Sequence, residues 1–266
     1  MKAKFLLTLF VLSLLSFAKA QDTILVTPDK VLKAAIDPLQ QIYYVNNQRQ
    51  LVKLATTQDK TFLYTAIFLN KNIVLNVQNP FKVLLYKQDM GELITLDTRM
   101  TVTGSVNLFD LGYYDISALS SASNLQNVWL FDRARQQLIL LDQQNKESFV
   151  TPIMSQLIGT SLSPVFVAEI EAKVYLVDPV KGIFIFDNLG NYFKQLPITG
   201  IQKIWVIGPK LYYFTEGQLW EYDLMLMESA PLITLKGFSE VQLCKDFILG
   251  LNSEGQLYKM NWPKAK

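Results

Sequence analysis

The chain has 266 residues, no histidine and a single cysteine. Without an imidazole, Ser-His-Asp and Cys-His catalysis, histidine-ligated zinc and histidine-bound haem are all excluded. The lone Cys244 forbids an internal disulfide. With no histidine to activate it, Cys244 reads as a small residue packed near the centre of the fold. Charge is scarce too, with 25 basic and 23 acidic residues and no run of either sign. That leaves no electrostatic footprint for nucleic acid or anionic lipid. A glycine-rich phosphate loop is missing, and so is the acidic spacing of a calcium loop. Asp187-Asn188-Leu189-Gly190-Asn191 gathers oxygen ligands that only calcium would suit, but it reads better as a tight turn. Neither a metal nor a cofactor is expected.

What the chain has is apolar and periodic. Half of its residues are apolar and 12% aromatic. One phrase recurs six times: an apolar residue, two variable positions, a large apolar residue and a small, usually polar one. It runs from Leu51 to Ala55, Leu93 to Asp97, Leu138 to Asp142, Ile183 to Asp187, Leu219 to Asp223 and Leu257 to Asn261. The starts lie 42, 45, 45, 36 and 38 residues apart, the period of β-propeller blades.

A short apolar run precedes each phrase, as in Ile42-Tyr43-Tyr44-Val45 and Val128-Trp129-Leu130-Phe131. Four residues are too few for a core helix, and the composition suits a strand buried on both faces. Between run and phrase sits a polar turn such as Asp178 to Gly182, so each pair reads as a hairpin. Outer strands follow at 60–67, 101–108, 146–150, 192–198 and 230–235. Inner strands precede at 31–36, 72–77, 165–170 and 201–207, with Val241 to Cys244 in the last blade. A short helical excursion is expected at 153–158. The sixth unit stops soon after its phrase, so Thr23 to Val26 is expected to supply its outer strand and close the ring. The reading is all-β, a single propeller with six four-stranded blades. The alternative, seven blades, would need a cryptic unit between Leu108 and Gln126. The Asp at the end of four phrases reads as a turn residue at the rim.

The first twenty residues stand apart. Lys2 and Lys4 precede an apolar stretch from Phe5 to Phe17, and Ala18-Lys19-Ala20 is a small-residue cleavage site. This is a secretory signal peptide, too short to span a membrane. Residues 21–266 then form the propeller domain, with 22 basic and 23 acidic residues once Lys2, Lys4 and Lys19 are gone. No cysteine sits at the cleavage point, where Gln21 comes first, so no lipid anchor is expected there. Export without disulfides points to a bacterial periplasm, outer membrane or cell surface.

Trp129, Trp205 and Trp220 lie within apolar strands and read as core. Tyr113, Tyr114, Phe109 and Trp262 lie in less regular stretches and could be exposed. Exposed aromatics beside arginine make interface anchors, so Tyr113, Tyr114, Arg133 and Arg135 are the interaction candidates.

Several segments carry a resemblance. Asp37-Pro38-Leu39-Gln40-Gln41-Ile42-Tyr43 follows the signal peptide, Val174 to Pro179 leads into Gly182 to Asp187, and a VIG motif precedes Tyr212-Tyr213. The chain resembles a family of uncharacterised exported β-propeller proteins of the Bacteroidota. The resemblance implies a propeller fold and export, and it brings no catalytic residues.

Two functions fit. One is a non-enzymatic interaction or scaffold module of the bacterial cell envelope, acting through a propeller face on an envelope protein or outer-membrane complex. The alternative is a propeller enzyme or small-ligand (carbohydrate) binder acting at the central channel. Ala34-Ala35-Ile36 and Val165 to Ala168 are small and apolar, which favours the first. The export reading has a direct check: the intact mass of the protein from envelope fractions should match a chain beginning at Gln21. A species retaining Met1, found only in cytosol, would contradict it.

Overall fold

The computed structural model describes residues 23–55, 60–65, 72–122 and 126–262. Residues 1–20, expected from sequence to be a signal peptide, and the expected end of the first outer strand at 66–67 lie outside the described residues. The chain folds as a β-propeller of six four-stranded antiparallel sheets. The inner strands are Val31–Ile36, Ile73–Asn76, Ile116–Ser121, Phe166–Ile170, Ile204–Ile207 and Phe238–Leu243. The stretch from Leu108 to Gln126 holds the third of these rather than a seventh blade. The helical excursion is one turn, Met154–Leu157. In five blades the strands follow chain order from the inside out. The sixth takes Thr23–Leu25 as its outermost strand, with Thr23 opposite Met260, Ile24 opposite Lys259 and Leu25 opposite Tyr258.

The recurring phrase explains the packing. Its first and fourth residues lie three apart on a strand, so they point to opposite faces of the blade. Leu93 packs with the third blade, among Leu119 and Leu130, and Leu96 packs back against the first, among Tyr43 and Val45. The same division holds for Leu138 and Leu141, Ile183 and Phe186, Leu219 and Tyr222, and Leu257 and Met260. The first residue of every phrase is buried. Three of the second strands, Ile42–Asn46, Val83–Lys87 and Val128–Asp132, are buried along their whole length, whereas Lys210–Thr215 in the fifth blade is only partly so. They sit between a sheet on either side, which is why they read as unbroken apolar runs. The result is six separate cores, one at each junction between neighbouring blades.

Glycine is required where blades meet turns. Gly190 has a φ of +79°, and a Cβ there would collide with the Phe149 ring of the preceding blade. Gly182 has a φ of +102°, and a Cβ would strike the Leu196 carbonyl.

Strand alternation divides the connections between two ends of the ring. At one end emerge the turns joining first to second and third to fourth strands. There Trp262 Nε1 donates to the Cys244 carbonyl at 2.7 Å, and the Gln40 amide bonds the Asp246 carboxylate. At the other end emerge the hairpin turns of the middle strands and the links between blades. There the Arg133 amide donates to the Asp115 carbonyl, and Gln136 Nε2 to that of Leu162. Among the described residues no helix is long and apolar enough to cross a membrane.

The N-terminal strand joins the two ends of the chain. Val26 N donates to the Leu257 carbonyl, and the Thr27 hydroxyl meets the Tyr44 hydroxyl of the first blade at 3.3 Å. Removing residues 21–28 should therefore lower the melting temperature strongly, at about 1 kcal/mol per backbone hydrogen bond lost, and favour aggregation through the bared strand Leu257–Asn261. An unchanged melting curve would show that the ring closes without it.

Candidate functional site

All six inner strands line a central cavity of about 870 Å³. Many of their apolar side chains pack in the cores between blades and also border the cavity, as Leu75, Ala118 and Val206 do. Much of the lining is apolar, including Val74, Leu75, Ala118 and Val206. Here the expectation from Ala34-Ala35-Ile36 and Val165 to Ala168 needs correcting, because polar groups also converge. Lys33 of the first blade, Lys203 leading into the fifth, and Glu240 and Gln242 of the sixth all line the cavity. Lys203 Nζ donates to Gln242 Oε1 at 2.6 Å, and Gln242 Nε2 donates to Glu240 Oε1 at 2.6 Å. Lys33 Nζ donates to the Ile73 carbonyl at 2.7 Å. The Lys203 ammonium also lies 5.5 Å from the Trp205 ring centre and 5.8 Å from that of Phe166.

Both lysines keep some contact with the cavity surface, yet protein surrounds their ammonium groups. The surrounding protein governs their energetics, because it is what strips water from the charge. Burial lowers the pKa of Lys33, with Glu240 opposing. Burial brings Lys203 down to about 8, opposed by Glu240 and reinforced by the like charge of Lys33. Elsewhere in the lining the polar groups satisfy one another. Ser120 Oγ donates to Gln78 Oε1 at 2.8 Å, Gln78 Nε2 to the Glu169 carbonyl at 3.0 Å, and Asn76 Nδ2 to Ser120 Oγ at 3.2 Å. Each lysine ammonium, with three donors, makes one hydrogen bond among the described residues.

The sequence candidates lie elsewhere, at the end bearing the hairpin turns. Tyr113 is only 3% exposed and cannot serve as a surface anchor. Its hydroxyl donates to Glu147 Oε1 at 2.8 Å, and Arg135 lies 4.8 Å over its ring. Arg135 also pairs with Glu147 at 2.7 Å and Asp132 at 3.4 Å. Arg133 forms a two-pronged bond to Asp115, at 2.9 and 2.8 Å. Three of the four candidates thus fasten the link that leads into the third blade to that blade's own hairpin turn and outer strand. Tyr114 alone stands out, 72% exposed, beside Phe109 with ring centres 6.0 Å apart.

Of the tryptophans, Trp129 is fully buried and donates to Glu169 Oε2 at 2.7 Å, whereas Trp205 lines the cavity. Trp220 is partly buried and stacks on Tyr213. Cys244 also lines the cavity, and burial raises its pKa. The phrase-ending aspartates cap turns: Asp97 accepts from the amides of Arg99 and Thr101, and Asp142 from those of Gln144 and Lys146. Asp223 is held at about 2 by the Leu226 amide, Lys210 and the Met225 amide. In the Asp187 turn, Oδ1 accepts from the amides of Leu189 and Asn191. Those oxygens are committed to the turn.

Lys33 and Lys203 were the residues sequence reasoning missed. The available signal was a single charge within an otherwise apolar inner strand or its approach, at Val31–Ile36 and just before Ile204–Ile207.

No protein-family model matches the chain. No curated protein matches it at a significant level. Solved structures do match, and among them are bacterial β-propeller proteins. The virginiamycin B lyase of Staphylococcus aureus, an inactive variant with quinupristin, matches over 91% of this chain and 99% of its own, at 9% identity and a TM-score of 0.60. A streptogramin B lyase matches over 89% of this chain and 81% of its own, at 14% identity and a TM-score of 0.59. PorZ of Porphyromonas gingivalis, a component of the type-IX secretion system, matches over 89% of this chain but 33% of its own, at 15% identity and a TM-score of 0.53. At these identities the likeness is one of fold.

The buried lysine generates a prediction with a definite sign. Lys203 loses its proton near pH 8 in the folded protein but near its ordinary 10.5 when unfolded. Between these values the unfolded chain binds more protons, so stability from this group rises with pH. Lys203→Met should stabilise the protein at pH 7, on the order of 1–2 kcal/mol, and flatten that rise. A large loss of stability would show instead that the Lys203–Gln242 bond is needed for folding.

Proposed function

We propose that this protein is an exported, non-enzymatic interaction module of the bacterial cell envelope that presents one end of its propeller to a protein partner. The observation that carries the reading is an apolar surface at the end bearing the first-to-second and third-to-fourth turns. Met225, Leu226 and Met227 are consecutive there, 83%, 71% and 60% exposed. Leu39, Phe81 and Leu189 are exposed in turns of the same end, on three other blades. Consecutive exposed apolar residues raise aggregation risk and persist where they serve contact.

The turn that holds the cluster is rigid. Asp223 Oδ1 accepts from the amides of Met225 and Leu226 at 2.8 and 2.9 Å, and the Met227 amide donates back to the Asp223 carbonyl. A preorganised apolar turn loses little entropy on docking, and methionine adapts to varied surfaces.

PorZ is described as an essential bacterial surface component of a secretion system, which supports a propeller of this kind serving in an envelope machine. The lyase neighbours are enzymes, and the S. aureus variant was inactivated by replacing a histidine. This chain has no histidine, so that chemistry has no counterpart here. The signal-peptide reading of residues 1–20 supports export. Tyr114, supported by the Arg133 and Arg135 clusters, offers a smaller second patch at the opposite end.

Photo-crosslinking side chains at Leu226 and at Tyr114, in cells of the native organism, separate the two ends. A discrete adduct is expected from Leu226 and not from Tyr114. The triple variant M225S, L226N, M227S should retain its melting temperature and weaken partner capture at least tenfold, about 1.4 kcal/mol. An adduct from Tyr114 alone would overturn the assignment of the docking end.

A further inference from the structure

We infer that the central cavity is a binding site for a small monoanion with an apolar body, seated by Lys33 and Lys203. This does not rest on the docking surface, which lies on outward-facing turns.

The charge balance comes first. Two ammonium groups and one carboxylate, Glu240, face the interior, so the cavity carries one positive charge in excess when both lysines are protonated. Nearer the mouths, the lining adds Asp37, Glu216 and Lys245. Asp37 is committed within its own blade, accepting from the Gln41 amide at 2.9 Å and the Tyr43 hydroxyl at 3.0 Å. Glu216 and Lys245 are solvent-exposed and largely screened. The interior excess therefore stands uncompensated within the protein.

Holding two like charges in one cavity is unfavourable for folding, and Lys33 adds a smaller lowering of the Lys203 pKa to that made by burial. Each lysine bonds a neutral oxygen of the next blade rather than a carboxylate, unlike Arg133 and Arg135 with their ion pairs. Lys33 reaches one carbonyl and Lys203 one amide oxygen, which leaves further ammonium donors on each. A carboxylate or comparable singly charged group placed between them would take up those donors and neutralise the excess. A dianion would leave a net negative charge in the same low-dielectric space, and a neutral sugar would leave the positive one.

The rest of the ligand follows from the walls. Phe166 and Trp205 flank the Lys203 ammonium, and Val74, Leu75 and Ala118 line the cavity beyond. A volume of about 870 Å³ falls within the range that takes metabolite-sized molecules. The ligand class is an aromatic or aliphatic carboxylate.

The test uses the mature protein and 2-naphthoate as probe, followed by titration calorimetry, with neutral 2-naphthamide as the control. The expected result is saturable naphthoate binding at least tenfold tighter than that of the amide. Lys203→Met and Lys33→Met should each weaken it about tenfold, and Lys203→Arg should retain it. Seating an anion beside Lys203 also favours its protonated form. Wild-type binding at pH 8 should therefore take up a fraction of a proton, seen by repeating the titration in buffers of different ionisation heat. That readout needs no variant. Equal binding of acid and amide, no proton uptake at pH 8, or unchanged naphthoate affinity in a folded Lys203→Met protein would each overturn the proposal.

Discussion

Everything in this molecule depends on face-to-face packing of neighbouring blades. A four-stranded sheet alone has two apolar faces and no stable way to cover both. Here each phrase sends its first apolar residue forward and its fourth backward, so every blade completes the cores on both of its sides. Leu93 and Leu96 show the arrangement on a single strand. Such an array has unsatisfied faces at both ends unless it closes. Closure depends on Thr23–Leu25 pairing with Leu257–Asn261, which bonds the two ends of the chain and covers an exposed strand edge.

That packing leaves the axis with little structural duty. Inner strands contribute to the cores on both of their faces, as Leu75 and Val74 show, and together they surround a cavity rather than fill it. Lys33 and Lys203 can sit there only because Glu240, Gln242 and flanking aromatic rings offset part of their desolvation. The two ends differ in kind. One is stitched by ion pairs, with Arg133 on Asp115 and Arg135 on Glu147 and Asp132. The other presents Met225 to Met227 on a turn fixed by Asp223.

Strand order, the closing strand and the six-blade count could be read in the sequence because they follow from local signals. Apolar runs mark strands buried on both faces, polar turns mark hairpins, and the phrase period counts blades. The helical turn at Met154–Leu157 was legible for the same reason, between Pro152 and Gly159. The candidate site was not. Tyr113 lies in an irregular polar stretch that suggests exposure, yet Glu147 and Arg135, 34 and 22 positions later, enclose it. Trp205 read as core, and it does pack against the core between the fifth and sixth blades, but its inner-strand position also puts it beside the cavity.

The sequence by itself determined the repeat, the strand pattern, the absence of imidazole chemistry and the turn role of the phrase-ending aspartates. These properties rest on residue type and on neighbours within a few positions. Tertiary structure alone decided that Lys33, Lys203 and Glu240 share one cavity, since their positions span more than two hundred residues and meet only because the ring closes. It also decided that Arg133 and Arg135 are consumed by internal ion pairs while Met225 to Met227 stay exposed. Partnering and exposure are set by what other blades bring alongside, and no local pattern encodes that.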